Sequence, residues 1–264
     1  MATVKDIRDY FNEAIPFYMK LDFDNIGMLV GFSEQEVRRV IVSLDITEAV
    51  IAEAIDKQAQ LIVSHHPIIF DPLKRVADDD PCGRKIIRMI RCGISAICLH
   101  TNLDTADGGV NDCLMETLGA RVTGLLDPHG THPDGRPYCV SRLGELPAPV
   151  EFPEFLARTK QRLHSSGLRY VDGGRPVYRI ACCGGAGGNE MWKAAEAGCD
   201  TFVTADLKYD HFLSAKELGL NLIDGDHFCT ENVVVPHLKR LILKRYPDLE
   251  VSISNIHKQT VQFF

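Results

Sequence analysis

No stretch of this sequence reaches the roughly 18 consecutive apolar residues that a membrane-spanning helix requires, so no membrane partner is expected. The opening MATVKDIRDYFNEAIPFYMK scatters charges among its apolar positions and lacks a signal-peptide core. No block of five or six like charges occurs, and the net charge is −7, which disfavours nucleic acid as the main partner. C-x-x-C pairs are also absent, although cysteine is plentiful: nine, at 82, 92, 98, 113, 139, 182, 183, 199 and 229. Their number is odd, and most lie inside apolar runs such as SAICLH and YRIACCGG, where free cysteine behaves as a small buried hydrophobe. We read them as packing in a reduced cytoplasm, not as a disulfide framework or a zinc-thiolate site. What remains is an ordinary globular composition, 45% hydrophobic and 25% charged, in 264 residues, enough for one large domain or two modest ones.

Helical spacing of Ile7, Phe11 and Ala14 predicts an amphipathic helix over 4–19. RVIVSL (39–44) reads as a buried strand, followed by a helix over 48–57 capped by Thr47. Strands are predicted at 61–64 and 95–99 with a helix at 85–92 between them, and a further helix at 111–118 after Gly108-Gly109. This alternation implies a largely parallel sheet flanked by helices. Residues 123–153 are rich in Pro and Gly and mark a passage into a second lobe. There a helix at 155–165 precedes renewed alternation: strands at 177–183, 201–204 and 220–223, helices at 190–197 and up to 218, and a last helix at 233–245. The lobes expected are 1–122, completed by 229–264, and 123–228. A shift of 140 residues lays VRRVIVSL over VYRIACCG and KQAQLIVS over AGCDTFVT, a faint duplication.

Three clusters carry chemistry, each at the end of a predicted strand, where α/β folds form ligand sites. Adjacent histidines inside a strand point to opposite faces, but at its end, with Pro67 holding His66 extended, His65 and His66 can reach one cavity. Alone, HHP fits an exposed loop equally well. His100-Thr101-Asn102-Leu103-Asp104 offers an imidazole and a carboxylate, or simply a capping turn. His227 and Glu231, at i and i+4, share a helix face, as a solvated ion pair also would. Together the clusters supply three imidazoles and two carboxylates, a first shell for two divalent cations. These ligand types suit iron, manganese, zinc or nickel without choosing among them. Gly184-Gly185-Ala186-Gly187-Gly188 follows a strand but matches no phosphate-binding motif, and reads as a tight turn. His129, His132, His164, His237 and His257 lack partners at ligand spacing and read as structural or surface residues.

HHPIIF, HTNLDTADGGVND and DHFCTE, with DNIGMLVG and TADLKY, together resemble the Nif-three-like family from about residue 5 to the C-terminus. Its bacterial members are commonly named GTP cyclohydrolase 1 type 2 homologues. The resemblance implies a two-lobed α/β fold, each lobe a mixed or parallel sheet with flanking helices, with the metal site in the cleft between lobes. It also implies a toroidal homohexamer. Carried over to this sequence, the metal ligands are His65, His66, Asp104, His227 and Glu231, with Glu231 bridging, and His100 stands nearby as an orienting or catalytic residue. Two departures are visible. Asp226 replaces the glycine usual before the last histidine, and TADLKYDH carries Ala205 for glycine with its histidine displaced to His211.

Two ions about 3.5–4 Å apart can lower the pKa of a shared water and steady charge on an attacked group. The expectation is therefore a dinuclear metal-dependent hydrolase acting on a nucleotide-like small molecule, with His100 and Asp226 as proton carriers. The alternative is a metal-binding, metallochaperone or regulatory scaffold protein without turnover, because the same five ligands serve both.

Overall fold

The computed structural model describes residues 2–264; Met1, the first residue of the expected first lobe, lies outside them. In chain order the elements begin with α1 (Val4–Ala14), β1 (Gly27–Val30), β2 (Arg39–Ser43), α2 (Glu48–Asp56), β3 (Leu61–Ser64), α3 (Pro81–Arg91) and β4 (Ser95–Cys98). Next come α4 (Thr101–Thr105), α5 (Val110–Leu118), β5 (Arg121–Leu125), β6 (Gly130–Thr131), β7 (Pro137–Tyr138), β8 (Arg142–Val150), α6 (Phe152–Arg162) and β9 (Arg169–Val171). The rest is β10 (Val177–Cys182), α7 (Met191–Glu196), β11 (Thr201–Thr204), α8 (Tyr209–Leu218), β12 (Asn221–Asp224), α9 (His227–Glu231), α10 (Val235–Arg245) and β13 (Glu250–Ile253).

Local chemistry explains the boundaries. Thr3 and Asp6 form a reciprocal capping box at the start of α1, and the helix stops before Pro16, which disfavours helical backbone at Ile15. As expected, Thr47 caps α2, its Oγ1 accepting from the Val50 N–H. α3 begins four residues earlier than its apolar spacing suggests, because Asp80 caps it and Pro81 occupies its first turn.

The chain divides into two compact units, one running up to Leu103 and including Val235–Lys258, the other Asp104–Val234 with Gln259–Phe264. Composition places the passage at 122/123, yet α5 belongs wholly to the second unit. Its Leu114, Met115 and Leu118 pack with Phe152, Phe155 and Ile180 there. The Pro/Gly-rich stretch itself carries β6, β7 and β8. In β8 the pairing with β5 covers Arg142 to Glu145, and Pro147 and Pro149 fall beyond it, in the irregular part of the β10 ladder between the Glu145–Arg179 and Val150–Val177 pairs.

In the first unit the strands run in the order β1-β4-β3-β2-β13. β13, β2, β3 and β4 are parallel and β1 is antiparallel to β4, so the sheet is mixed. Ile41, Ile62, Ala96 and Cys98 form one buried face against Val50 and Ile51 of α2 and Ile86 and Met89 of α3. α10 lies against β2 and β13, and Tyr10 of α1 donates to the Leu241 carbonyl on it. In the second unit the order is β5-β8-β10-β11-β12-β9, with β10, β11 and β12 parallel. Ile180, Val203 and Ile223 pack beneath α5 and α6, while Ala181, Phe202 and Leu222 face Met191 and Ala194 of α7 and Ala215 of α8. The two units thus share a parallel βαβαβ core. The register itself repeats: Val40 pairs with Leu61 and Ile180 with Thr201, the same positions under the shift of 140 residues.

Candidate metal centre

In the first unit β3 and β4 are parallel neighbours, so their C-terminal ends lie side by side. β3 runs into His65-His66 and β4 into Leu99-His100. The result is a cluster in which one nitrogen from each of His65, His66 and His100 lies within 4.8 Å of the other two. The ring centroids are 5.0 to 5.6 Å apart. Both backbone N–H groups of the HH pair donate to the Leu44 carbonyl, which fixes the turn that lets the two rings converge. His100, expected beside the ligands, is a full member of this cluster.

Every ring is held from behind at Nδ1. His65 donates to the Leu99 carbonyl at 2.8 Å, His66 meets Asp45 Oδ1 at 2.7 Å, and His100 meets Asp24 Oδ1 at 2.8 Å. A carbonyl or ionised carboxylate only accepts, so each Nδ1 carries the proton and each Nε2 presents its lone pair. Asp24 has its second oxygen on the N–H (2.9 Å) and hydroxyl of Thr101. Burial pushes the Asp24 carboxyl up, but His100 and Thr101 outweigh it and hold it at about 2. Burial likewise raises Asp45, and His257 and His66 bring it well below the usual carboxylate range.

In the second unit α9 carries His227 and Glu231 one turn apart, with Nε2 and Oε2 3.1 Å from each other. His227 Nδ1 meets Asp206 Oδ2 at 2.7 Å, the arrangement seen at the other three rings. With Nδ1 protonated, Nε2 and the Glu231 carboxylate need a positive charge, a proton or a cation, between them. Burial pulls the imidazole down, but Glu231 and Asp206 raise it to about 9. Glu231 is 4% exposed and Asp104, on α4, 6%. Both act on the same thiol: burial pushes Cys183 up to about 12, and repulsion from Asp104, Glu190 and Glu231 adds to it. Carboxylates gathered at a buried spot, with imidazole lone pairs of fixed direction, are a donor set suited to divalent cations.

The residues packed around these candidate ligands are equally specific. An alanine Cβ at Gly185 would stand 2.1 Å from Glu231 Oε1, and Gly185 has φ +63°. The GGAGG segment is therefore the close-packed turn expected, pressed against the Glu231 carboxylate. The buried Arg142 donates to the carbonyls of Thr105 (2.8 Å) and Ala106 (3.1 Å) and pairs with Asp112, which fixes the chain immediately after Asp104. Asp226, expected as a proton carrier, has a backbone task. It caps α9, its Oδ1 accepting from the Cys229 N–H at 3.1 Å and from the Gln259 amide. Its φ of +75° accounts for glycine at that position in the family pattern. The displaced His211 accepts from the Lys208 N–H and sits over Gly188. His129 and His132 pack on Tyr138 in the β6–β7 hairpin, as structural residues.

Sequence reading missed Asp24, Asp45 and Asp206, the three orienting carboxylates. Asp45 and Asp206 each stand two residues past the end of a buried strand, β2 and β11, and that placement was the available signal. Asp24 opens the DNIGMLVG segment, but nothing in the chain order tied it to His100, 76 residues away.

The sequence profile of Duf34/NIF3 (NGG1p interacting factor 3) matches residues 2–260. A Clostridium perfringens protein named GTP cyclohydrolase 1 type 2 homolog is 33% identical over 263 residues, 98% of this chain and 99% of that one. A Streptomyces coelicolor protein of the same name is 35% identical over 213 residues, 79% and 74% of the two chains. Among solved structures, a Staphylococcus aureus hypothetical protein superposes with a TM-score of 0.92 at 27% identity, covering 99% of both chains. Reduced HcgD from Methanocaldococcus jannaschii gives 0.79 at 25% identity, covering 97% of this chain and 98% of that one. No helix among the described residues is long and apolar enough to cross a membrane.

Proposed function

The chain belongs to the Duf34/NIF3 family, and from that premise we propose that it is a hydrolase using two divalent cations on a nucleotide-like small molecule, as the name GTP cyclohydrolase 1 type 2 homolog suggests. His65, His66, Asp104, His227 and Glu231 would hold them. One observation carries the reading: four imidazoles from distant parts of the chain each have Nδ1 tied to a carbonyl or carboxylate, which commits Nε2 to accepting a cation or a proton.

Two divalent cations, when bound, supply Lewis acidity and make a shared water acidic enough to lose a proton near neutral pH. The chain's own residues do the rest. Asp45 and Asp206 orient His66 and His227, and Gly185 leaves room for the Glu231 carboxylate. His100, held by Asp24, takes a proton at Nε2 during attack and returns it to the leaving group. Asp226 holds α9 in place. By family resemblance the chain assembles as a toroidal hexamer in the cytoplasm, which light scattering of the purified protein tests for size.

The experiment is elemental analysis of purified protein, followed by a screen of nucleotides and cyclic amides for metal-dependent turnover. His66→Ala and Glu231→Ala lose bound metal with unchanged far-ultraviolet circular dichroism. Full metal occupancy in both variants overturns the ligand assignment. Fully metallated wild type without turnover across the panel transfers the same site to a metal-holding or regulatory role.

A further inference from the structure

The last strand of the first unit, β13, is followed by a turn whose side chains lead back to the histidine cluster. Glu53 of α2, 4% exposed, anchors that turn. Its Oε2 accepts from the Ser254 hydroxyl and its Oε1 from the Asn255 N–H at 3.1 Å, while Lys57 closes the pair at 2.7 Å. The Ser254 hydroxyl oxygen in turn accepts from the N–H groups of Ile256 (3.3 Å) and His257 (3.2 Å). This places the His257 ring, 8% exposed, with Nε2 2.9 Å from Asp45 Oδ2. The Asp45 backbone N–H also faces that nitrogen, at 3.2 Å, but a carboxylate oxygen needs a donor and the shorter contact makes Nε2 one. The other oxygen of Asp45 holds His66 Nδ1 at 2.7 Å.

We propose that His257 is a positioning residue for the metal centre: the C-terminal turn, through Asp45, aims the Nε2 lone pair of His66. A carboxylate held at one oxygen swings about its Cβ–Cγ bond, and any ring hydrogen-bonded to it swings too. Held at both oxygens it defines one plane and one direction for the imidazole. The other orienting carboxylate of this cluster, Asp24, is fixed the same way, with His100 on one oxygen and Thr101 on the other. A histidine that sequence spacing reads as structural or surface is thereby joined to the site, held in place by the turn from Ser254.

The inference rests on His66 being a ligand, and the test separates the two. Wild type, His66→Ala, His257→Ala and His257→Gln are titrated with Co²⁺ and followed by visible absorption and equilibrium dialysis, with circular dichroism as the fold control. Glutamine can place an amide N–H near the Nε2 position. His257→Ala is expected to weaken one Co²⁺ site roughly tenfold, at the low end for outer-shell partners, and to change its visible spectrum. His257→Gln restores both. Selectively ¹⁵N-labelled histidine supplies a readout without metal, in which His257→Ala lets His66 leave the single Nδ1–H tautomer. Should His66→Ala bind Co²⁺ as wild type does, the ligand assignment fails. If His66→Ala loses a site while His257→Ala keeps wild-type affinity, spectrum and tautomer, the positioning role is refuted and the ligand stands.

Discussion

Gly185→Ala sets the backbone of the glycine turn against the geometry of the candidate ligand it touches. A Cβ there meets Glu231 Oε1 at 2.1 Å, its Cδ at 3.1 Å and His227 Cε1 at 3.3 Å. The first distance is an outright overlap, while the other two ask for shifts of tenths of an ångström. The cheapest relief is rotation of the Glu231 carboxylate, because the Gly185 backbone is tied by its N–H to the Thr230 hydroxyl at 3.1 Å and by its carbonyl to Thr204 and Ala205. The left-handed φ of +63° adds about 1–2 kcal/mol for a residue with a Cβ. The variant should therefore unfold in urea with a stability lower by roughly 1–3 kcal/mol, a loss the fold survives. Metal binding suffers more than stability does. On the proposed ligand assignment, a Glu231 carboxylate turned away from its position should weaken cation affinity by at least the 10- to 100-fold range of a lost outer-shell contact, read by isothermal titration with Mn²⁺ or Zn²⁺. A Gly185→Ala protein with wild-type urea midpoint and wild-type affinity would refute the close packing of the turn against Glu231. Lost stability with intact affinity would separate Glu231 from the metal.

Three further expectations follow from the same physical account. Asp226→Gly relieves the φ of +75° but gives up the cap on α9, whereas Asp226→Ala gives up the cap and keeps the strain; urea melts should rank glycine above alanine by about 1 kcal/mol. Arg142→Met leaves Asp112 and the carbonyls of Thr105, Ala106 and Cys139 without their buried donor, and should cost about 3–5 kcal/mol in equilibrium unfolding, the range for breaking a buried pair. Asp24 is held at about 2 against an ordinary 3.8, so its contribution, roughly 2 kcal/mol, is complete above pH 4 and lost as pH falls through 2. Asp24→Asn should therefore flatten the fall of stability between pH 4 and 2 in acid titrations followed by circular dichroism, while lowering stability at neutral pH.

The runs of β2, β3, β4 and β11 are buried on both faces almost throughout, and such strands advertise themselves to within a residue or so. β1, β9 and β13 stay hidden in the sequence because each sits at an edge of its sheet, where only one neighbour constrains its composition. The passage between units is displaced for a related reason. Proline and glycine in 123–153 read as the passage into a second lobe, but the prolines of β8 lie beyond its β5 ladder and in the irregular part of its β10 ladder. The candidate ligand motifs stand out because each puts its histidines or acids within a few residues, as in HHP and H-x-x-x-E.

By itself the amino-acid order determined the parallel βαβαβ alternation, the capped starts of α1 and α2, and the residue types offered to a cation, since all depend on neighbours within a turn or a strand. Tertiary structure alone decided which carboxylate stands behind which ring. Asp24 reaches His100 across 76 residues and His257 reaches Asp45 across 212. Such pairs form only when strand register and a distant turn have already been set, because hydrogen bonding acts over about 3 Å and leaves no periodicity in the chain.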